Sequence, residues 1–165
     1  MIKGLSKTNI LRNLINSNKL EYLMDAHNGM SAKIVEESGF GGIWASRRTM
    51  AASMGLPKDE PSSTQIINNV ENMIDTTQLP ILVDIGNGFG DFNNSRKVVS
   101  KLERIGAAGV CIEDSLFPKS QRYIDGEREE GLVHIEDFSS KLLACKDVIK
   151  DDNFSIIVGI NSLTL

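Results

Sequence analysis

Three observations predict a fold of the α/β class built on a parallel sheet. Short apolar runs alternate along the 165-residue chain with longer segments whose apolar residues recur at helical spacing. One run, residues 81–83, is apolar at every position, as expected of a parallel strand buried on both faces. It ends at Asp84, which a glycine-rich loop follows. Because strands and helices alternate, we expect right-handed crossovers between parallel strands.

The same periodicities predict the individual elements in chain order. Strands are predicted over residues 21–26, 41–46, 81–83, 109–113 and 154–160, and helices over residues 7–16, 30–37, 64–74, 94–105 and 135–149. Ser6 or Thr8 suits the cap of the first helix, and Asn93 or Asn94 suits the cap of the fourth. Residues 115–133 are polar and without a pattern, which indicates a long loop.

This alternation allows two ways to close the sheet. It suits either a doubly wound sheet or an eight-stranded barrel, and a complete barrel typically needs about 250 residues. The chain supplies five predicted strands and shows no change in composition that marks a domain boundary. We therefore expect residues 1–165 to form a single domain.

Composition and charge limit the binding partners and the cellular location that we expect. The formal net charge of −4 argues against nucleic acid, which selects a basic surface. No apolar stretch approaches the length of a membrane span, and the first residues lack the apolar core of a signal peptide. Cys111 and Cys145 lie in apolar patterns and are expected to be buried thiols rather than a disulfide. Unpaired thiols are typical of a reducing compartment, so these features predict a cytoplasmic protein.

Two acids end predicted strands. Asp84 and Glu113 each stand at the carboxyl end of an apolar run, and these ends share one rim of a parallel sheet. Two carboxylates with waters and substrate oxygens suit Mg²⁺. The alternative is that both acids cap neighbouring helices or are solvated. The next residue, Asp114, is interpreted as a structural acid.

Several neighbouring residues have two interpretations. The segment 86–90 suggests a phosphate loop, but Asp91 stands where a dinucleotide fingerprint has its third glycine, so tight turning is favoured. Arg47 and Arg48 suit an anionic substrate or are a solvated pair. Lys119 could close over a phosphate, although most loop lysines have no such role. Trp44 and Ser46 flank the end of the second predicted strand. Without further context, Trp44 is interpreted as a core aromatic residue and Ser46 as a helix cap.

Five collinear segments carry a resemblance to a known family. They are residues 25–32, 42–46, 80–84, 88–94 and 112–119. In these segments the chain resembles the phosphoenolpyruvate mutase family, of the isocitrate lyase superfamily, from about residue 8 onward. The resemblance implies an incomplete (β/α)8 TIM-type barrel with about five parallel strands, because it covers only the first part of the family's longer barrel.

The resemblance also implies a site for Mg²⁺ and a small anionic substrate, phosphoenolpyruvate or phosphonopyruvate, with making or breaking of a C–P bond. Carried over by position, Asp84 and Glu113 match the family's metal residues. The residues that match its substrate-binding positions are Trp44, Ser46 and Gln121. Lys119 matches the lysine of the gating loop, and Lys58 or Asp59 stands opposite the family's loop aspartate. Arg47 is added as a substitute cation for substrate.

Departures from the family pattern fall on the same rim. Gly86 stands where the family has its second aspartate, and Arg47-Arg48 stand where it has Gly-Leu. Ser115 replaces the lysine that follows the family's Glu-Asp. In the fifth strand, Gly159 and Asn161 replace an arginine and a glutamate. Each lost charge-assisted hydrogen bond is worth about 1.5–3 kcal/mol. We therefore expect weak or no mutase activity. The alternatives are a mutase-type enzyme with another substrate, a truncated remnant, and a non-catalytic relative that self-associates or pairs with a homologue.

Overall fold

Seven strands run through the chain in a computed structural model that describes residues 4–57, 60–116, 123–124, 127–128 and 131–161. They are β1 (Leu23–Ala26), β2 (Gly42–Ala45), β3 (Ile81–Asp84), β4 (Gly109–Glu113), β5 (Tyr123–Ile124), β6 (Glu127–Arg128) and β7 (Ser155–Gly159). Five form one parallel sheet in the order β1-β2-β3-β4-β7, and β5 pairs with β6 in an antiparallel ribbon. All five predicted strands are present, and β4 has the predicted bounds.

Six helices connect or flank these strands in the described residues. They are α1 (Lys7–Ile15), α2 (Gly29–Glu37), α3 (Arg47–Ser53), α4 (Ser63–Thr76), α5 (Phe92–Ile105) and α6 (Ile135–Asp147). Helix α3 has no predicted range, and only the interpretation of Ser46 as a helix cap indicated a helix start here. The predicted loop over residues 115–133 is corrected, because it contains β5, β6 and a bridge between Ser115 and Leu132.

The strand order decides how the sheet closes. In the sheet each strand lies beside its predecessor, whereas a doubly wound sheet reverses its order partway. Apolar residues from α2, α4, α5 and α6 share one core with the sheet. Its members include Val35, Ile66, Val70, Val83, Val99, Val110, Phe138 and Cys145. The described chain is therefore an open, barrel-type layer of strands and helices, as the resemblance implied.

On the opposite face of the sheet, here called the inner face, the described residues form an apolar cluster at one end. Leu11 of α1 packs there with Leu82 and Ala108, and Trp44 and Ile157 lie against them. Toward the carboxyl ends of the strands the same face carries polar side chains. The amino-terminal helix thus closes one end of the inner face and leaves the other end for the candidate site.

Helix caps confirm one prediction and correct another. Ser6 caps α1 by accepting a hydrogen bond from the Asn9 amide at 3.2 Å. Helix α5 is capped by Asp91, whose carboxylate accepts from the Asn94 amide at 2.9 Å, so the prediction of an asparagine cap was wrong. A carboxylate at the helix start also interacts favourably with the helix dipole. In the described residues, no helix combines the length and apolar character that crossing a membrane requires.

Candidate functional site

Asp84 and Glu113 lie at the carboxyl ends of two neighbouring strands. In the register of β3 with β4, Asp84 pairs with Cys111, and Glu113 stands two residues further along the same face. Cys111 shares this face, and burial, followed by the charges of Asp84 and Glu113, raises the pKa of its thiol to about 11. Both acids are partly exposed. The structure therefore places the two predicted metal residues at one rim of the inner face.

Backbone amides orient the Asp84 carboxylate. Its Oδ1 accepts a hydrogen bond from the Gly86 amide at 2.9 Å, and its Oδ2 accepts a longer one from the Arg47 amide at 3.4 Å. Arg47 begins α3, so the carboxylate is tied both to its own loop and to the start of a helix after the neighbouring strand. These contacts hold the acid at the rim.

The loop after β3 turns by unusual backbone conformations. Gly86, Gly88 and Gly90 have φ values of 54°, 84° and 129°, and Phe89 has a φ of 61°. A hydrogen bond of 3.0 Å from the Gly88 amide to the Ile85 carbonyl closes the turn. The interpretation of this segment as a tight turn is confirmed. Phe89 adopts a left-handed conformation that costs a non-glycine residue roughly 1–2 kcal/mol.

The two arginines after β2 have different environments. Arg47 is only 7% exposed, and its guanidinium lies 4.9 Å from the centre of the Phe89 ring, in a cation–π contact. Arg48 is exposed. The alternative of a solvated pair is therefore wrong for Arg47, because the aromatic ring and the glycine loop cover its side chain. Its role toward substrate stays a prediction.

Three side chains, two of them from outside the loop, also hold the glycine loop in place. The Lys141 ammonium donates to the Asn87 carbonyl at 2.9 Å, and the Asn87 side-chain amide donates to the Leu116 carbonyl at 2.8 Å. The Ser95 hydroxyl donates to the Gly88 carbonyl at 3.0 Å. Sequence reasoning did not single out Lys141. The available signal was its place on the apolar side of α6, three residues after Phe138.

Trp44 and Ser46 flank the end of β2. Trp44 is half-buried and packs against the Leu82 cluster on the inner face, where it pairs in register with Leu82. Ser46 occupies the cap position of α3, but its side chain makes no capping hydrogen bond. The helix-cap interpretation of Ser46 is therefore correct for its position and wrong for its hydrogen bond.

The last strand adds no long side chain beside Glu113. Gly159 pairs in register with Glu113, and a Cβ at Gly159 would lie 3.2 Å from the Glu113 Cγ. Asp114 is buried, and its Oδ1 accepts from the Asn161 amide at 2.9 Å and from its side-chain amide at 3.0 Å. The structural interpretation of Asp114 is confirmed.

Three predicted site residues and one alternative lie outside the described residues. They are Asp59, Lys119 and Gln121, with Lys58 as the alternative to Asp59. Their proposed catalytic and substrate roles stay predictions.

The donor set at the rim suits one kind of metal. Over the described ranges, no group of three or more histidine, cysteine, aspartate or glutamate side chains could enclose a metal ion. Asp84 and Glu113 nevertheless fit Mg²⁺, which retains several waters and often binds through one or two carboxylates.

Solved structures share this arrangement of strands and helices. Phosphoenolpyruvate phosphomutase from Streptomyces platensis subsp. rosaceus superposes with a TM-score of 0.86 at 33% identity, over 94% of this chain and 54% of that one. A complex of phosphonopyruvate hydrolase with oxalate and Mg²⁺ superposes with a TM-score of 0.87 at 32% identity, over 97% of this chain and 54% of that one. The fold is thus of the TIM-barrel type found in these enzymes.

Sequence comparison then places the chain in a particular family. The family described as phosphoenolpyruvate phosphomutase matches residues 11–163. The phosphoenolpyruvate phosphomutase of Tetrahymena pyriformis is 45% identical over 94% of this chain and 52% of its own length. The chain belongs to the phosphoenolpyruvate phosphomutase family, and it spans about half the length of the curated relatives it matches.

Proposed function

We propose that the rim of β3 and β4 binds Mg²⁺ together with a small anionic substrate of the phosphoenolpyruvate or phosphonopyruvate type. The observation that carries this proposal is the placement of Asp84 and Glu113 on neighbouring strand ends, with Cys111 responding to both charges. Asp84 and Glu113 would hold the metal, and waters would complete its coordination. When bound, Mg²⁺ neutralises negative charge on substrate oxygens.

The neighbouring residues suggest how the substrate is positioned. Trp44 covers the inner face beside the rim, and Ser46 follows it at the start of α3. We assign Gln121 to substrate binding, with Asp59 and Lys119 as the catalytic residues of the flanking segments. Family membership leaves the reaction open, because the similar proteins include both a phosphomutase and a phosphonopyruvate hydrolase.

We expect little phosphomutase turnover from this chain alone. Gly86 and Gly159 stand at the rim without side chains that could donate to a phosphoryl group or hold the metal's waters. Loss of one preorganised donor to transition-state charge costs about 10² to 10³ in rate. Conversion of phosphonopyruvate to phosphoenolpyruvate at a rate ordinary for an enzyme would contradict this expectation.

A second candidate function is that of a non-catalytic cytoplasmic subunit that pairs with a copy of itself or with a homologue. The strands at the two ends of the described sheet, β1 and β7, carry exposed apolar side chains, among them Met24 and Val158. Exposed strand edges of this kind favour pairing with another chain. Light scattering that gives the monomer mass at micromolar concentration would argue against this candidate.

Calorimetric titration of Mg²⁺ and then oxalate into the purified chain tests the proposed site. Saturable binding of both is expected, and Asp84→Asn should weaken Mg²⁺ binding at least tenfold because it removes a ligand charge. Asp152→Asn, an exposed acid in the turn before β7, is the matched control and should bind like the original chain. Absence of Mg²⁺ and oxalate binding in a chain with a folded circular-dichroism spectrum would refute the proposed function.

A further inference from the structure

Asp25 is an acid on the inner face of the sheet to which the proposed site gives no role. It lies on β1 two residues after Leu23, which packs against the inner-face cluster, whereas Ala26 packs in the core on the other face. Because side chains alternate along a strand, the Asp25 carboxylate belongs to the inner face. It is half-buried, and its Oδ1 accepts a hydrogen bond of 3.0 Å from the Thr49 hydroxyl.

The strand register separates Asp25 from the proposed metal residues. Asp25 pairs with Trp44, and Trp44 pairs with Leu82, which stands two residues before Asp84. Two strand spacings alone amount to roughly 10 Å, and the offset of two residues along β3 adds to this distance. Carboxylates that share one Mg²⁺ must each bring an oxygen to about 2.0–2.1 Å from it. An effect of Asp25 on the metal must therefore pass through another residue.

Thr49 links Asp25 to the start of α3, of which it is the third residue. Its hydroxyl oxygen also lies 3.2 Å from the Ser46 carbonyl oxygen. The hydroxyl has one hydrogen, and the shorter distance and the negative charge favour donation to Asp25. Ser46 makes no side-chain capping hydrogen bond at this helix start. The hydrogen bond to Asp25 thus ties the first turn of α3 to β1 where a side-chain cap does not.

The start of α3 in turn contacts the Asp84 carboxylate. The Arg47 amide donates to Oδ2 at 3.4 Å, and the Gly86 amide donates to Oδ1 at 2.9 Å. The contact with Arg47 is already long, so a small movement of α3 would break it. Groups that hydrogen-bond a metal ligand fix its orientation, and their loss typically costs about 10- to 100-fold in metal affinity. The position of α3 therefore affects how Asp84 is oriented.

We infer that Asp25 is a positioning residue for the metal site, because the Thr49 hydroxyl connects it to the start of α3. From there the Arg47 amide orients the second oxygen of Asp84. The inference rests on the proposed function, since it concerns how Asp84 is presented to Mg²⁺. It depends on the hydrogen bond and not on the charge of Asp25. Asp25→Asn keeps an acceptor oxygen for Thr49, whereas Asp25→Ala removes it.

Calorimetric titration of Mg²⁺ into variants at both ends of this hydrogen bond tests the inference. Thr49→Val removes the hydroxyl at nearly constant size and should weaken Mg²⁺ binding about tenfold, the lower end of the range for a lost partner of a metal ligand. Thr49→Ser keeps the hydroxyl and should bind Mg²⁺ as the original chain does. Thr64→Val, at an exposed threonine of α4, is the matched control and should leave the affinity unchanged.

The acid gives a second pair of variants. Asp25→Ala should weaken Mg²⁺ binding as much as Thr49→Val does, and it serves where Thr49→Val does not fold. Asp25→Asn should bind Mg²⁺ like the original chain. The inference is overturned if removing the hydrogen bond leaves the Mg²⁺ affinity unchanged. It is also overturned if Asp25→Asn loses as much affinity as Asp25→Ala, because the charge of Asp25 would then explain the effect.

Hydrogen exchange separates this inference from the proposed function. In the metal-free chain, the Arg47 amide should exchange faster in Thr49→Val than in Thr49→Ser. Faster exchange with an unchanged Mg²⁺ affinity would show a purely structural contact, which overturns the inference and leaves the proposed function standing. If the folded original chain binds neither Mg²⁺ nor oxalate, the proposed function is refuted, and the inference falls with it.

Discussion

The ammonium group of Lys141 donates a hydrogen bond of 2.9 Å to the main-chain carbonyl of Asn87, 54 residues earlier in the chain. This contact joins α6 to the glycine loop that follows β3. Lys141 is only 6% exposed, and burial lowers the pKa of its side chain. The buried Lys141 ammonium therefore anchors the glycine loop to α6, a helix that contributes no residue to the proposed metal site.

Replacing Lys141 with methionine should therefore destabilise the protein and loosen the loop. A hydrogen bond to a charged group is worth about 1.5–3 kcal/mol, and removing the donor also leaves the Asn87 carbonyl without this partner. The free energy of unfolding from urea denaturation measures the change. Lys146→Met, an exposed lysine on the same helix, is the control and should change stability by less than about 0.5 kcal/mol. Equal effects of the two substitutions would contradict the anchoring role of Lys141.

The stability of the protein should fall in acid through Asp151. The hydrogen bond that Thr8 donates to its carboxylate at 2.7 Å lowers the pKa of Asp151. Because the folded pKa lies below the unfolded value of about 3.9, this stabilisation is complete above that pH and is lost as the pH falls through the folded pKa. Thr8→Val should therefore show a shallower loss of unfolding free energy between pH 5 and pH 2 (roughly the range over which a paired aspartate titrates). The exposed residue Thr64 provides the control, and Thr64→Val should retain the original slope.

Gly109→Ala should strain the pairing of β4 with β7 and lower the stability of the protein. A Cβ at Gly109 would lie 2.6 Å from the Ser155 carbonyl oxygen and 3.1 Å from the Leu11 side chain. The first neighbour is backbone and cannot rotate away, so we expect a loss of about 1–3 kcal/mol, as for overpacking elsewhere. Gly41→Ala is the matched control, because its nearest neighbour is the end of the flexible Leu14 side chain at 3.1 Å. Thermal unfolding compares the two variants, and equal melting temperatures would contradict this account.

Asp114→Ala should release the end of β7 from the sheet. The Asp114 carboxylate accepts both the backbone and side-chain amides of Asn161, and burial makes their loss costly. We expect a loss of about 1.5–3 kcal/mol and faster hydrogen exchange at the amides of residues 157–161. Asp152→Ala removes an exposed acid and should leave exchange in this segment unchanged. Unaltered protection of β7 in Asp114→Ala would show that the ladder with β4 holds the strand by itself.

Local pattern was sufficient for the positions of most elements. Short apolar runs located the five sheet strands, and helical spacing located five of the six helices in the described residues. Helix α3 was indicated only by its cap position at Ser46, because the seven residues from Arg47 are too few to show a periodic apolar face. The cap of α5 was misassigned because aspartate and asparagine are equally good caps, so residue type alone does not show at which of them the helix begins.

Some residues of the candidate site were also predictable from sequence, and others were not. Asp84 and Glu113 were predictable from sequence, because strand ends in a parallel sheet share one rim. The burial of Arg47 was not, because a pair of arginines after a strand is indistinguishable in sequence from a solvated pair. Lys141 was missed for a similar reason, since its partner lies in a distant loop.

The sequence by itself determined the family, the alternation of strands and helices and the two acids at the strand ends, because these depend on residue type and spacing along the chain. Only the tertiary structure decided that the strands follow one another in the sheet, that Arg47 lies against Gly86 and Phe89, and that Lys141 supports the glycine loop. These contacts join segments that are far apart in sequence. They depend on which side chains fill the space that the packed strands and helices leave.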